Sequence, residues 1–189
     1  MTTASTTLKN PSALQRHASF FDPKGTREIT FAQTYDGMKR VGVPFVLRAL
    51  LTPVINGLLG PLTSGGFSLV IKIDTIAQGK HPYDSGSFDD GGAFDEAAFD
   101  ALFANAGEAI TLSEMRAVVT ARGDRLKKGR IEAALGHWFS SREIGVLFLV
   151  AADTRKTVNG KQVTAMKKET LRSFYDGTLF FQLEQRRAG

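Results

Sequence analysis

The sequence predicts a mainly α-helical fold built from repeated helix–loop–helix units, and two observations carry this prediction. First, apolar residues at helical spacing are followed three times by an apolar-Thr pair, at Ile29-Thr30, Ile110-Thr111 and Val163-Thr164. Second, the first two pairs open a capping box, because Gln33 and Glu114 stand three residues after their threonines. The order helix, short loop, apolar-Thr pair, helix is EF-hand-like, and we expect short strand pairs at Ile29, Ile110 or Val163.

Length and composition indicate one globular domain without covalent cross-links. The chain has 189 residues, of which 42% are hydrophobic, so it can bury a sizeable core as a single domain over residues 10–189. Residues 1–9 are rich in Thr and Ser and are predicted to be a flexible tail. The chain has no cysteine, which excludes disulfides, zinc–thiolate sites, cysteine-held iron–sulfur clusters and thiolate-bound haem.

The N-terminal tail also indicates where in the cell the protein is expected. It contains no apolar run, so it does not have the pattern of a signal peptide. We therefore expect an intracellular protein, either cytoplasmic or peripheral to a membrane or lipid surface.

The charges are distributed unevenly along the chain. Every charge between Pro82 and Glu114 is acidic, whereas a basic cluster follows between Arg122 and Arg130. A basic cluster can attract nucleic acid or an anionic membrane surface. No nucleic-acid-binding motif accompanies this one, so we interpret it as a solvated surface and expect no nucleic-acid partner.

Caps and turn residues predict where the helices begin and end. The predicted helices include Asn10 to Phe21, Thr30 to about Gly42, Ile131 to Phe139 and Lys168 to Phe174. Asn10 is the predicted N-cap of the first of these helices, whose apolar face also carries His17. Asp176-Gly177 is predicted to turn the chain after the last.

The most apolar segment, Val43–Ile73, is too interrupted to predict a membrane-spanning helix. Glycines and prolines divide it into pieces, roughly Pro44–Thr52, Val54–Leu59 and Phe67–Ile73. A spanning helix needs about 20 apolar residues with few breaks, and a bilayer penalises unpaired backbone groups. We expect a broken hairpin that forms the wall of an apolar pocket or lies at a lipid surface.

The loop after the first helix lacks the ligands of a calcium site. An EF-hand loop supplies oxygen ligands at its first, third and fifth positions, glycine at the sixth and glutamate at the twelfth. Counted from Asp22, the later positions hold Lys24, Thr26, Arg27 and Gln33. Only the first position is a carboxylate, and two of the others add positive charge, so no calcium binding is expected.

His17, His81 and Asp84 form the candidate chemical centre. His81 and Asp84 belong to the turn Lys80–Asp89, which follows the apolar segment, while His17 lies on the predicted first helix. A histidine titrates near neutrality and can serve as an acid, a base or a metal ligand. On the residues alone a solvated or hydrogen-bonded structural role is the favoured interpretation for both histidines, and more strongly so for the third histidine, His137.

The order of these segments resembles the caleosins, a family that includes plant and fungal peroxygenases. The resemblance extends from about Leu14 to Phe181 and is carried by three stretches. Leu14–Asp22 is similar to the family's helix entering its EF-hand loop. Lys80–Asp89 is similar to its Lys-His-Gly-Ser-Asp-Ser-Gly stretch, and Phe174–Phe180 is similar to its C-terminal Asp-Gly-Ser-Leu-Phe.

The resemblance implies a peroxygenase that uses haem b to transfer oxygen from a hydroperoxide to an unsaturated lipid or another apolar substrate. The two haem-associated histidines of the family match His17 and His81, which makes them the expected ligands of the haem iron. Asp84, beside His81, is the expected catalytic partner. The chain departs from the family in its calcium loop and in the proline-rich segment for lipid-droplet anchoring, of which Pro53 and Pro61 remain.

The two histidines are expected to play unequal roles at the iron. A peroxide must reach an open coordination position, whereas two permanently bound histidines would favour electron transfer. His17, on a helix face, is the predicted proximal ligand. His81, in a turn, is the predicted distal acid–base group or displaceable ligand.

Three other functions remain open on the residues alone. The first is a cofactor-free isomerase or cyclase that uses His17, His81 and Asp84 as acids and bases. The second is a non-haem iron centre with the same two histidines and one carboxylate. The third is a non-enzymatic protein that binds a lipid surface through the apolar hairpin.

Overall fold

The computed structural model describes residues 10–80, 85–125 and 130–189, with the side chains of residues 124 and 130–139 left out of the description. The predicted flexible tail, residues 1–9, lies outside the described residues. The described chain is mostly helical and carries two small sheets, which agrees with the predicted mainly α fold. Its helices and strands follow one another as helix–strand–helix segments.

The helices are α1 (Ala13–Ser19), α2 (Phe31–Arg40), α3 (Phe45–Ser64), α4 (Glu96–Leu102), α5 (Leu112–Arg125), α6 (Arg130–Ala151), α7 (Lys168–Tyr175) and α8 (Leu179–Ala188). The strands are β1 (Glu28–Ile29), β2 (Ile71–Lys72), β3 (Ala109–Thr111), β4 (Thr154–Val158) and β5 (Lys161–Lys167). A 3₁₀ turn covers Ile76–Gly79.

Both sheets are antiparallel and contain the predicted apolar residues. In the first sheet Ile29 of β1 pairs with Ile71 of β2. In the second, β5 lies between β3 and β4, with Ile110 opposite Met166 and Val163 opposite Lys156. The prediction of short strand pairs at the apolar-Thr positions is therefore confirmed.

The chain divides into two compact units, each described here by itself. Unit 1 contains the chain up to Gly79, Asp90–Ala93 and Tyr175–Gly189, and unit 2 contains Lys80–Asp89 and Phe94–Phe174. Unit 1 is thus assembled from segments far apart in sequence. The single domain over residues 10–189 stays a prediction.

The core of unit 1 lies between α1, α3 and the first sheet. Its fully buried members are aliphatic side chains of α1, β1, β2 and the 3₁₀ turn, and partly buried side chains of α1 and α3 pack against them: Ala18, Ile29, Ile71, Ile73 and Ile76, with Leu14, Phe21, Ile55 and Leu59. Burial of this apolar surface positions α1, and with it His17.

The helix caps show where local sequence decides structure. Thr30 and Gln33 bond reciprocally as a capping box at the start of α2, as predicted. The predicted cap at Asn10 is wrong, because Ser12 and Gln15 form the capping box of α1. Asn10 has a positive φ of 52° and stands outside the helix.

The predicted break at Pro53 is wrong, whereas the predicted break before Phe67–Ile73 is present at Gly65. The helix α3 runs without interruption from Phe45 to Ser64 and contains Pro53 and Pro61. Pro53 and Ala49 are both exposed, so water can bond the Ala49 carbonyl that the proline leaves unpaired. The helix ends at Gly65, which has the left-handed φ of 70°, and the chain then returns to form β2.

Unit 2 contains two longer helices and a β-hairpin. The helix predicted for Ile131–Phe139 is longer than expected, because α6 continues through the following apolar run to Ala151. The strands β4 and β5 are joined by Asn159-Gly160, whose φ angles of 50° and 75° are both positive and match the turn type that suits a two-residue hairpin.

Candidate functional site

His17 lies in the last turn of α1 and is half-buried. Its imidazole packs against the ring of Phe180, with 4.6 Å between the ring centroids and an interplanar angle of 48°. The ring of Phe21 lies farther away, at 6.5 Å. The predicted helix face is correct, and the contact with Phe180 links two segments that are far apart in the sequence.

The aromatic group around His17 consists of four phenylalanines, Phe20, Phe21, Phe180 and Phe181. Phe180 packs edge-on against Phe21 at 5.7 Å and, in a tilted arrangement, against Phe20 at 5.5 Å. Phe181 contacts Phe20 at 5.2 Å. The guanidinium of Arg40 lies 4.0 Å from the centroid of the Phe20 ring and completes the group.

A turn at residues 176–178 fixes the start of α8 against α1. Asp176 accepts hydrogen bonds at its Oδ1 from the backbone N–H and the hydroxyl of Thr178, at 2.9 and 2.6 Å. Its backbone carbonyl accepts a bond of 2.7 Å from Nη1 of Arg16. Gly177, between them, has a φ of 84°, which only glycine adopts readily.

The other predicted site residues cannot be placed beside His17. His81 and Asp84 lie outside the described residues, and so does the side chain of His137, whose backbone is part of α6. On either side of the undescribed residues 81–84, Nζ of Lys80 donates to the carbonyls of Phe88 and Asp89 at 2.8 and 2.6 Å.

The Asp22 loop satisfies the carboxylate at its first position with hydrogen-bond donors of the protein. Asp22 is buried and accepts bonds from the Thr26 hydroxyl at 2.9 Å, the Arg27 backbone N–H at 2.6 Å and the Gln33 side-chain amide at 3.3 Å. Arg27, at the sixth loop position, has a left-handed φ of 65°. These donors hold the loop in a turned conformation, and a cation would have to compete with them for the Asp22 carboxylate.

At Glu114 the donor that satisfies the carboxylate is the side chain of a lysine, Lys156. Nζ of Lys156 lies 2.6 Å from Oε1 of Glu114 and donates to the carbonyl of Ala106 at 2.8 Å. Burial raises the pKa of Glu114, but the hydrogen bonds from Lys156 and Thr111 outweigh burial and hold that pKa below its ordinary value. The second oxygen of Glu114 accepts from the backbone N–H of Thr111, which completes the second predicted capping box.

Asp153, which precedes the third apolar-Thr pair, is also satisfied by hydrogen-bond donors of the protein. Asp153 accepts a bond of 3.0 Å from the backbone N–H of Lys167 and one of 2.6 Å from the hydroxyl of Thr170. Within the described ranges no group of three or more His, Cys, Asp or Glu side chains could hold a metal ion. His81 and Asp84 lie outside these ranges.

Several polar residues of the helix α3 are buried, while many of its large apolar residues are exposed. Thr52, Asn56 and Thr63 are buried, and Nδ2 of Asn56 donates to the Leu69 carbonyl at 2.8 Å. Five large apolar side chains of the same helix are exposed: Phe45, Val46, Leu50, Leu58 and Leu62. In the loop that follows, Phe67 is 97% exposed.

The helix α3 is long and apolar enough to cross a membrane, judged by length and composition alone. It is the one helix of which this holds in the described part of the chain. Only 17% of its most apolar window is buried inside the structure, which is unlike the core helix of a soluble protein.

Sequence reasoning missed Phe180 and Lys156 because both act through contacts with distant segments. Phe180 belongs to a stretch that carried the family resemblance, which was the available signal for its importance. In the sequence, Lys156 is recognisable only as a positive charge near Asp153. No local pattern connects it with Glu114, 42 residues earlier.

Comparisons with known proteins identify the relatives of this chain. Residues 9–184 match the family described as Caleosin related protein. Probable peroxygenase 4 of Arabidopsis thaliana is 30% identical over 183 residues, which cover 93% of this chain and 87% of that protein. Peroxygenase of Lilium longiflorum is 29% identical over 192 residues, covering 95% and 72%. No solved structure matches the chain. Because the family match spans nearly the whole sequence, the chain belongs to the caleosin family.

Proposed function

We propose that this protein is a haem-dependent peroxygenase. The observation that carries the proposal is the half-buried imidazole of His17, packed on Phe180 in a chain whose relatives are named peroxygenases. In the proposed reaction a hydroperoxide loses its outer oxygen to an unsaturated lipid or another apolar substrate. The O–O bond breaks, the hydroperoxide leaves as its alcohol, and the substrate gains one oxygen.

The residues around His17 fit a haem by their chemistry. Haem iron takes an imidazole nitrogen as an axial ligand, and a porphyrin is a flat apolar ring that packs well against phenylalanine. His17 offers the nitrogen, and the rings of Phe180 and Phe21 make its surroundings apolar. When bound, haem would supply the cleavage of the peroxide O–O bond and the transfer of its oxygen.

The proposal gives different roles to the two histidines. His17 lies on α1 and its ring packs on Phe180 of α8, which suits a fixed proximal ligand. His81 is assigned the distal role, in which it moves a proton at the peroxide, with Asp84 as its partner. The EF-hand-like character of the helix–strand–helix segments belongs to the same proposal and is supported by the left-handed Arg27 and the paired strands.

The test is an absorption spectrum of the purified protein, before and after haem is added, together with three alanine variants. We expect a Soret band in the unsubstituted protein and in His137→Ala, the control. His17→Ala should lose the band. His81→Ala should keep it and lose oxygen transfer from cumene hydroperoxide to an unsaturated fatty acid.

Two results would overturn this assignment. If no Soret band appears after haem supplementation, the haem proposal fails and a cofactor-free isomerase or cyclase becomes the better explanation. If His17→Ala and His81→Ala both retain haem and turnover, neither histidine belongs to the site. Loss of haem in His81→Ala alone would exchange the proximal and distal roles.

The exposed face of α3 supports a second proposal, that the protein contacts a lipid surface. The side chains buried beneath this face are hydrogen-bonded to the strands of unit 1, since Asn56 donates to the carbonyl of Ile29 in β1 at 3.4 Å and the Thr63 hydroxyl accepts from the Lys72 N–H of β2 at 3.0 Å. A helix anchored in this way can lie in the interface with its apolar side in the lipid.

Vesicle flotation tests the lipid contact with a matched pair of variants. Leu50 is 62% exposed on α3 and Leu149 is 58% exposed on α6. Leu50→Glu should reduce flotation with phosphatidylcholine vesicles several-fold because it places a charge in the apolar face. Leu149→Glu should leave flotation unchanged, and equal losses in the two variants would contradict a specific role for α3.

A further inference from the structure

We propose that the segment Asp176–Phe180 is a positioning device for the imidazole of His17. This inference rests on the proposed function, in which His17 is the proximal ligand of a haem. It assigns a role to a stretch that the sequence shows only as a family resemblance. None of its residues has to touch the cofactor, so they are positioning residues.

The first part of the device is the backbone of the turn. The Arg16 side chain bonds the Asp176 carbonyl at 2.7 Å, and Arg16 is the residue immediately before His17. A Cβ at Gly177 would lie 2.6 Å from the Ala13 carbonyl oxygen and 2.7 Å from the His17 backbone nitrogen. The turn therefore touches the backbone of His17 itself, and only a glycine allows this approach.

The second part is the ring of Phe180. At 4.6 Å its centroid is closer to that of the His17 imidazole than the Phe21 centroid, which is 6.5 Å away. A rigid ring at this distance restricts rotation of the imidazole about its side-chain torsions. Phe180 lies two residues after Thr178, so the Asp176–Thr178 hydrogen bonds that begin α8 also set the position of this ring.

The third part is the packing of Phe180 against Phe21. Phe180 packs edge-on against Phe21, with interplanar angle 89°. The Phe21 ring in turn lies so close to Gly37 of α2 that a Cβ there would overlap it. A contact series from Gly37 through Phe21 to Phe180 thus supports the ring that packs on His17.

A fixed orientation of the His17 imidazole affects how strongly this side chain binds a metal. A metal-binding histidine performs best when its ring orientation is fixed before the metal arrives, because ordering it afterwards costs binding free energy. Removing the ring of Phe180 should therefore loosen the His17 imidazole and weaken haem binding. It should do so without requiring that the protein unfold.

The experiment compares Phe180→Leu with Phe181→Leu. Phe181 is the adjacent residue of the same helix and packs on Phe20 at 5.2 Å, so both variants remove one ring of the same aromatic group. The first readout is the order parameter of the His17 imidazole, measured by ¹³C relaxation on the full chain without haem. The resonance is assigned by its absence in His17→Ala. The second readout is haem affinity from Soret titration.

We expect Phe180→Leu to lower the order parameter of the His17 imidazole well below its value in the unsubstituted protein. Its haem affinity should fall about tenfold or more, and Phe181→Leu should change neither quantity. If the imidazole stays rigid in Phe180→Leu, or loosens equally in both variants, the inference is wrong.

Two further measurements keep the inference separate from folding and from the haem proposal. If Phe180→Leu does not fold, Gly177→Ala provides the same test, because its added methyl displaces the turn from His17. If the unsubstituted protein binds no haem, the proposed function fails, while the order parameter still decides whether Asp176–Phe180 positions the imidazole.

Discussion

The ammonium of Lys156 lies 2.6 Å from the carboxylate of Glu114, where it ties β4 to the start of α5. The two side chains are 23% and 34% exposed, so the ion pair is partly protected from water. The same ammonium bonds the Ala106 carbonyl. One lysine therefore joins three segments of unit 2.

Replacing that lysine should destabilise the protein. Lys156→Met keeps the length of the side chain but leaves Glu114 and the Ala106 carbonyl without this donor, for which we expect a loss of about 1–3 kcal/mol in the free energy of unfolding. Urea denaturation measures it. The control is Lys161→Met on the exposed hairpin, which should change stability by less than about 0.5 kcal/mol; equal effects would show that the Lys156 contacts contribute nothing.

The lowered pKa of Glu114 predicts how part of the stability depends on pH. A carboxyl whose pKa is depressed in the folded state stabilises the protein above its unfolded pKa, about 4.3 for glutamate. That stabilisation is lost as the pH falls through the lower folded value. Comparing the unsubstituted protein with Glu114→Gln, we expect their stability difference to shrink between about pH 5 and pH 3. A difference that is constant over this range would contradict the shift.

The Asp22 loop should not bind calcium. The carboxylate of Asp22 already accepts hydrogen bonds from Thr26, Arg27 and Gln33, and a calcium ion would have to displace them beside a positively charged side chain. Calorimetric titration should show no micromolar binding, and neither calcium nor EDTA should move the melting temperature. As a positive control, combining Lys24→Asp, Arg27→Gly and Gln33→Glu restores three ligand-loop features and should produce measurable binding.

Two glycines of α3 should respond to alanine in opposite directions. Gly57 has open space where a Cβ would be added, whereas a Cβ on Gly60 would overlap the backbone carbonyl of Ser68. Gly57→Ala should stabilise the protein by up to about 0.5–1 kcal/mol through helix propensity. Gly60→Ala should destabilise it by about 1–3 kcal/mol through overpacking. Thermal unfolding compares the two, and a shift of the same sign would disprove the packing of the Ser68 backbone against α3.

The parts of the fold that could be predicted from the sequence are those fixed by neighbouring residues. The capping boxes at Thr30 and Thr111 and the short strands at Ile29 and Ile110 are confirmed, because caps and alternation act over a few residues. The continuity of α3 could not be predicted. Its prolines disfavour a helix locally, and what favours it is the hydrogen bonding of Asn56 and Thr63 to β1 and β2, which lie outside the segment's own local pattern.

The candidate site was predictable only in part for the same reason. The face of α1 that carries His17 follows from helical spacing, and the structure agrees with it. The packing of Phe180 on His17 depends on a contact across more than 160 residues, which no local pattern encodes. The haem roles of His17, His81 and Asp84 stay predictions.

The discontinuity of unit 1 has a consequence for biosynthesis. The aromatic group around His17 needs α8, and Arg40 of α2 reaches forward to Glu184 at 3.1 Å. During synthesis α1 and α2 leave the ribosome long before these partners exist, while all of unit 2 is made in between. A nascent chain that stops before Tyr175 therefore cannot assemble the surroundings of His17. Translation must continue through α8 before any such protein could become active.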